Sequence, residues 1–160
     1  MSNNITYLGL GSNVGDRMSF LTQAISRLAR EGIVRKISSV HETPPWGKTD
    51  QPAFLNACVE FQTSQSPEDL LELLKQIETE LGRKEHERWG PREIDIDVLF
   101  YGDEQISSQR LTIPHPLLHE RAFVLVPLAE IAPDFVHPVL KKNIKELLAS
   151  LDTKDIKKYN

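Results

Sequence analysis

Cysteine is almost missing from this chain. Cys58 is the only one in 160 residues, so an internal disulfide is excluded. Nothing marks it as a nucleophile, and it reads as a small packing residue. Long apolar runs are also missing, and none approaches the roughly 20 residues that a membrane-spanning helix requires. The opening Met-Ser-Asn-Asn has neither the basic nor the apolar region of a secretory signal. These absences lead to the expectation of a cytoplasmic chain with no membrane partner. Positive charge is not in excess. The formal net charge is −4, which counts against a nucleic acid as partner while leaving room for a local basic pocket. Two phosphate-binding signatures are lacking. The stretch Gly9-Leu10-Gly11-Ser12-Asn13-Val14-Gly15 would need glycine at Val14 to read G-x-G-x-x-G, and G-x-x-x-x-G-K-[ST] occurs nowhere. No repeat or low-complexity segment appears. With 39% hydrophobic and 26% charged residues, the chain is expected to form one globular domain over residues 1–160.

What is present centres on Arg88-Trp89-Gly90-Pro91-Arg92-Glu93-Ile94-Asp95-Ile96-Asp97-Val98-Leu99-Phe100-Tyr101. Its first part is a basic, aromatic turn. Its second part alternates apolar and acidic residues, the period of a strand. Asp95 and Asp97 then share a face, about 7 Å apart at their Cα atoms. Two carboxylates so placed repel each other unless a cation lies between them, and a hard ion such as Mg²⁺ suits oxygen ligands. The arginines suit a polyphosphate, since a guanidinium grips phosphate oxygens in pairs. An acidic strand face is also the ordinary wet face of a sheet, so the pair alone leaves both readings open. The apolar run Val98-Leu99-Phe100-Tyr101 makes this strand look central in its sheet, where acids need partners.

The rest of the chain supplies a scaffold. Ile5 to Leu10 reads as a strand ending in a glycine turn, with Ser12, Asn13 or Asp16 capping the next helix. Leu21, Ala24, Ile25 and Leu28 give that helix its buried stripe. Ile33 to His41 is expected to be one strand. Thr43 to Pro52 carries three prolines and reads as a binding loop. Trp46 within it is either anchored in the core or free for a ligand. Ala57, Val59 and Phe61 alternate with Cys58, Glu60 and Gln62 in a further strand. Ser66-Pro67-Glu68-Asp69 opens a helix by the capping rules, with Glu78 near its end, close to the basic Arg83–Arg88 stretch. Gly102-Asp103-Glu104 is a turn leading into a hairpin with Gln105-Ile106 and Leu111 to Ile113. His115 and His119 have the helical metal spacing, but Pro116 disfavours a helix there and no third zinc ligand is evident. Helices are expected from about Phe123 to Ile131 and Asn143 to Leu151, and the polar tail from Asp152 is expected to fray. Strands and helices alternate loosely, which favours an α+β fold.

Several segments together resemble a known family over essentially the full length. They are Gly9 to Asn13, Thr43 to Gly47, Gln51 to Asn56, Glu87 to Arg92, Asp95-Ile96-Asp97 and Leu111 to Pro116. The chain is similar to the 6-hydroxymethyl-7,8-dihydropterin pyrophosphokinases of folate synthesis. The resemblance implies a mainly antiparallel six-stranded sheet with a ferredoxin-like core and helices on both faces. It implies transfer of pyrophosphate from ATP to the pterin hydroxymethyl group, releasing AMP, by a monomer. Asp95 and Asp97 would hold two Mg²⁺ ions and, with Arg83 and Arg92, form the catalytic group. Thr43, Pro44, Trp46, Gly47, Phe54, Asn56, Asp95 and Phe123 would surround the pterin. Glu78, Arg83, Arg88, Trp89, Arg92, Val98, Arg110, Thr112, His115 and Arg121 would bind ATP.

The sequence also departs from the family. Many members have a second arginine between the positions of Arg83 and Arg88, where this chain offers only Lys84, Glu85 and His86. Trp46 replaces a smaller aliphatic residue of some relatives. Two other readings fit the acidic pair and arginines: a Mg²⁺-dependent phosphohydrolase, or a ligand-binding α+β domain without catalysis.

Overall fold

The alternation in the sequence builds a six-stranded sheet with every pairing antiparallel. The structure, a computed structural model, describes residues 3–44, 50–82 and 92–159. Its strands are β1 (Asn4–Ser12), β2 (Ile33–Ile37), β3 (His41–Thr43), β4 (Phe54–Thr63), β5 (Asp95–Tyr101) and β8 (Lys157–Lys158), in the order β5-β1-β4-β3-β8 with β2 also on β4. A separate hairpin pairs β6 (Ile106–Ser107) with β7 (Thr112–Ile113). Strands β2 and β3 both pair with β4, and counted as one interrupted strand they give the chain order βαββαβ of the ferredoxin-like split unit.

The helices form where local signals start them. Asp16 caps α1 (Arg17–Leu28) by accepting from Ser19 N. Ser66 caps α2 (Pro67–Glu80) by accepting from Asp69 N, with Pro67 in the first turn. Each such cap stabilises its helix by about 1 kcal/mol. Asn143 and Glu146 form a reciprocal capping box on α4 (Ile144–Ala149). Helix α3 (Ala122–Ile131) contains Pro127 and is apolar on most sides.

The sheet divides the core in two. On one face Leu8, Leu10, Val59, Phe61, Ile96 and Val98 pack with Leu21, Leu28, Leu70 and Leu74 of α1 and α2. On the other, Tyr7, Cys58, Leu99 and Phe100 pack with Leu125, Leu128 and Ile144 of α3 and α4. Burying each such leucine or phenylalanine contributes about 1.5–3 kcal/mol. Helices α3 and α4 cover only part of this second face. The uncovered part, above Gly9, Gly11, Asn56, Asp95 and Asp97, is where a pocket opens.

Four details differ from expectation. Among the described residues, strand β5 lies at the sheet edge and pairs with β1 alone. Its apolar run is buried because both of its faces are covered, and its open edge is capped. The carboxylate of Glu78 accepts from Ile96 N at 2.8 Å, and His115 N donates to Leu99 O at 3.1 Å. These satisfy edge groups that would otherwise invite another strand. Second, β5 carries a bulge. Leu8 faces Val98 and Tyr7 faces Phe100, so Leu99 opposes no residue. Leu99 and Phe100 consequently both join the α3–α4 layer. Third, residues 33–41 break into β2 and the start of β3. Fourth, the tail does not fray. Lys157 and Lys158 pair with Glu42 and His41, Tyr159 N donates to Val40 O at 2.8 Å, and the Arg17 guanidinium lies over the Tyr159 ring. The hairpin expected after Gly102 forms as β6–β7.

Candidate active site

Side-chain parity on β5 determines the site. Asp95 and Asp97 share the face opposite Ile96 and Val98, and both line a pocket of about 370 Å³. Strand β1 runs beside them, with Gly9 opposite Asp97 and Gly11 opposite Asp95. On the far side of β1, Gly9 pairs with Cys58 and Gly11 with Asn56. The two glycines therefore leave a bare strip of backbone between the carboxylates and β4. Neither has the positive φ of a turn glycine. Their role is space: a Cβ on Gly11 would lie 2.9 Å from Asn56 Oδ1. This corrects the reading of these glycines as turn formers. Gly9 and Gly11 are two apart within a strand, and that spacing was the available signal.

Around this strip the pocket gathers Thr43, Pro44, Phe54, Asn56, Arg92, Asp95, Asp97, His115, Arg121 and Phe123. Asn56 Nδ2 donates to Thr43 Oγ1 at 2.7 Å, which orients the amide. Phe123 lies in the first turn of α3, and the Arg121 guanidinium lies 5.6 Å from the centre of its ring. Cys58 lies on the floor, its thiol within 3.6 Å of Val124 O, and burial pushes that thiol up. It is a packing residue, with no activated thiolate.

The charged groups act on one another. Burial lowers Arg121, while Asp97 and then Asp95 pull it back up. Burial also holds His115 at a pKa of about 4, helped by the Arg121 charge and opposed by Asp95. His115 is thus neutral near pH 7. Its Nδ1 accepts from Leu117 N at 3.2 Å, so the proton resides on Nε2, which is a donor.

Other candidate residues lie apart from this pocket. Thr112 lines a neighbouring cavity of about 340 Å³ that shares His115 and Pro116 with the first. Val98 faces the α1–α2 core, and Arg110 pairs with Glu72 on the surface. Glu78 is buried against the β5 backbone. Trp46, Gly47, Arg83, Arg88 and Trp89 lie outside the described residues.

The comparisons with known proteins agree on a relationship. Residues 7–133 match the family model of 7,8-dihydro-6-hydroxymethylpterin-pyrophosphokinase. The chain belongs to this family. It is 51% identical over 154 residues to the 2-amino-4-hydroxy-6-hydroxymethyldihydropteridine pyrophosphokinase of Methylorubrum extorquens, covering 95% of this chain and 96% of that one. It is 52% identical over 131 residues to the Bacillus subtilis protein of the same name, covering 81% and 78%. Among solved structures, a Plasmodium falciparum HPPK-DHPS crystal structure superposes with a TM-score of 0.74 at 18% identity, over 92% of this chain. The family member spans only 45% of that longer protein, and the likeness speaks for the fold.

Proposed function

We infer that this chain transfers the pyrophosphoryl group of ATP to 6-hydroxymethyl-7,8-dihydropterin in folate biosynthesis, giving the pterin pyrophosphate and AMP. Family membership supports the activity. The observation that carries its assignment to this pocket is the shared cavity. A flat heteroaromatic site (Phe54, Asn56, Phe123) and an anion site (Arg92, His115, Arg121) meet there at two carboxylates. Thr43, Pro44, Phe54, Asn56 and Phe123 bind the pterin, aromatic rings against its face and the Asn56 amide at its edge. Arg92, Arg121 and His115 Nε2–H hold the triphosphate. Arg110 and Thr112 bind its nucleoside end, with Val98 and Glu78 behind β5. Glu78 acts through Ile96 N, fixing the backbone between the two acids.

The pterin hydroxyl oxygen attacks the β-phosphorus as the bond to the α-phosphate oxygen breaks. Such a transfer depends on positioning and on charge stabilisation more than on covalent chemistry. Asp95 orients the attacking hydroxyl, and the arginines stabilise charge gathering on the phosphate oxygens.

Asp95 and Asp97 fit Mg²⁺. The donors are hard oxygens, and they are only a pair; among the described residues no larger cluster of metal-binding side chains exists. Mg²⁺ uses one or two protein carboxylates and completes its shell with substrate phosphate and water. A triphosphate also adds more negative charge than Arg92 and Arg121 offset. Two ions held by these aspartates would supply Lewis-acid stabilisation to the phosphates. Product analysis with ATP, pterin and Mg²⁺ tests the reading. AMP and pterin pyrophosphate are expected only when all three are present; pterin-independent release of AMP or ADP would identify a hydrolase instead.

A further inference from the structure

Asn13 follows the last residue of β1, is 1% exposed and does not line the pocket. Its backbone N donates to Arg92 O at 3.0 Å, and its side-chain Oδ1 accepts from Arg92 N at 2.7 Å. This extends the β1–β5 ladder past Gly11 and Asp95, with a side chain taking the place of a backbone carbonyl. Both hydrogens of the same amide go the other way. Nδ2 donates to Gln51 Oε1 at 2.8 Å and to Pro52 O at 3.0 Å. Every hydrogen-bonding position of the amide on its donor side is used, and its oxygen is occupied too.

The two segments so joined belong to different halves of the site. Arg92 is on the phosphate side, three residues before Asp95. Pro52 is on the pterin side, two residues before Phe54. We propose that Asn13 is a positioning residue that makes the pterin wall and the phosphate wall move as one, so that occupancy of either half sets the other. This rests on the pyrophosphokinase reading and adds a coupling to it. Arg17 provides an internal comparison. Its guanidinium holds Ala53 O at 2.9 Å and Glu42 at 2.8 Å, gripping the pterin-side segment with no bond to Arg92. A role in folding alone would make Asn13 and Arg17 alike; a coupling role makes them differ.

The test combines calorimetry and kinetics on the full chain. Pterin affinity is measured with and without a non-hydrolysable ATP analogue and Mg²⁺, in wild type, Asn13→Asp and Arg17→Met. Aspartate keeps the acceptor for Arg92 N but sets an oxygen against Gln51 Oε1 and Pro52 O. In wild type the analogue should tighten pterin binding by a factor in the range of about 5–150. Asn13→Asp should abolish most of that factor and lower kcat about 100-fold at saturating substrates, as small misplacements do. Affinity for the analogue alone should stay within about threefold. Arg17→Met should weaken pterin binding and leave the factor intact. If Asn13→Asp lowers Tm but keeps both kcat and the factor, the proposal is wrong. Should that variant not fold, Gln51→Met removes one bond of the bridge, and an unchanged factor there overturns the proposal equally. Wild type that makes no pterin pyrophosphate would instead sink the underlying activity.

Discussion

Replacing Gly11 by alanine places one methyl group where the site has no room for it. The new Cβ would meet Asn56 Oδ1 at 2.9 Å and Phe54 Cδ1 at 3.6 Å. Asn56 cannot yield freely, being 7% exposed with its amide donating to Thr43 Oγ1 at 2.7 Å. Two relaxations are open. Asn56 can rotate and give up the Thr43 bond, at about 0.5–1.5 kcal/mol. Alternatively β1 and β4 can part locally, at the roughly 1–3 kcal/mol typical of overpacking. Either moves the amide proposed to read the pterin edge. If binding has to restore the amide's position against that cost, pterin affinity falls by about 2–140-fold, at 1.4 kcal/mol per tenfold. Titration calorimetry reads the affinity, and thermal melting reads the stability. Gly9→Ala is the control, because the atoms nearest its Cβ would be Leu99 carbons, at an ordinary 3.5 Å. Its pterin affinity should stay within about threefold of wild type. Wild-type pterin binding by Gly11→Ala would refute the reasoning, whatever happened to its Tm.

Asp97→Ala should abolish turnover while costing about 1 kcal/mol or less of stability; near-normal activity at saturating Mg²⁺ would contradict the metal assignment. His115 gives an acid-side prediction. Its folded pKa is about 4 against an ordinary 6.5, so between those values the unfolded chain binds more protons and stability falls as pH falls. The loss is on the order of 3 kcal/mol across that window. His115→Asn, which keeps an acceptor for Leu117 N, should flatten this limb in urea melts from pH 7 to 4, and an unchanged slope would count against a buried neutral imidazole. Deleting residues 157–160 removes the β3–β8 pairing and the Arg17–Tyr159 contact, and should destabilise by about 1–3 kcal/mol. A frayed tail would instead leave the melting curve where it was.

What could be read from the sequence was local. Ser66-Pro67 announced α2, and Asp16 was among the three candidates for the cap of α1, because a cap and its partner lie within one turn. Alternation alone put Asp95 and Asp97 on a common face. What escaped depends on distant partners. The edge position of β5 was hidden because Glu78 and the His115 segment cap it, giving an edge strand the composition of an inner one. Strand β8 exists only because β3 offers it a ladder, and two lysines carry no strand signal of their own. Asn13 was one of three candidate helix caps, yet its side-chain partners lie 38 to 79 positions away. Glu78 was expected near the basic stretch, and no periodicity could show that its carboxylate turns toward β5.

The bulge at Leu99 has a consequence for chain length. Before it, alternate residues of β5 serve the open half of the sheet; after it, Phe100 serves the packed half on that same side. The unpaired residue is a half-step in the strand's phase. Substituting Leu99 by another apolar residue keeps that half-step. Deleting it would leave Val98 and Phe100 as neighbours in plain alternation, with Asp95, Asp97 and Phe100 still on the cavity side of the sheet and the Leu99 side chain lost from the pocket lining. The bulge thus adds one residue, and one apolar side chain beside the acids, without changing which side its neighbours face.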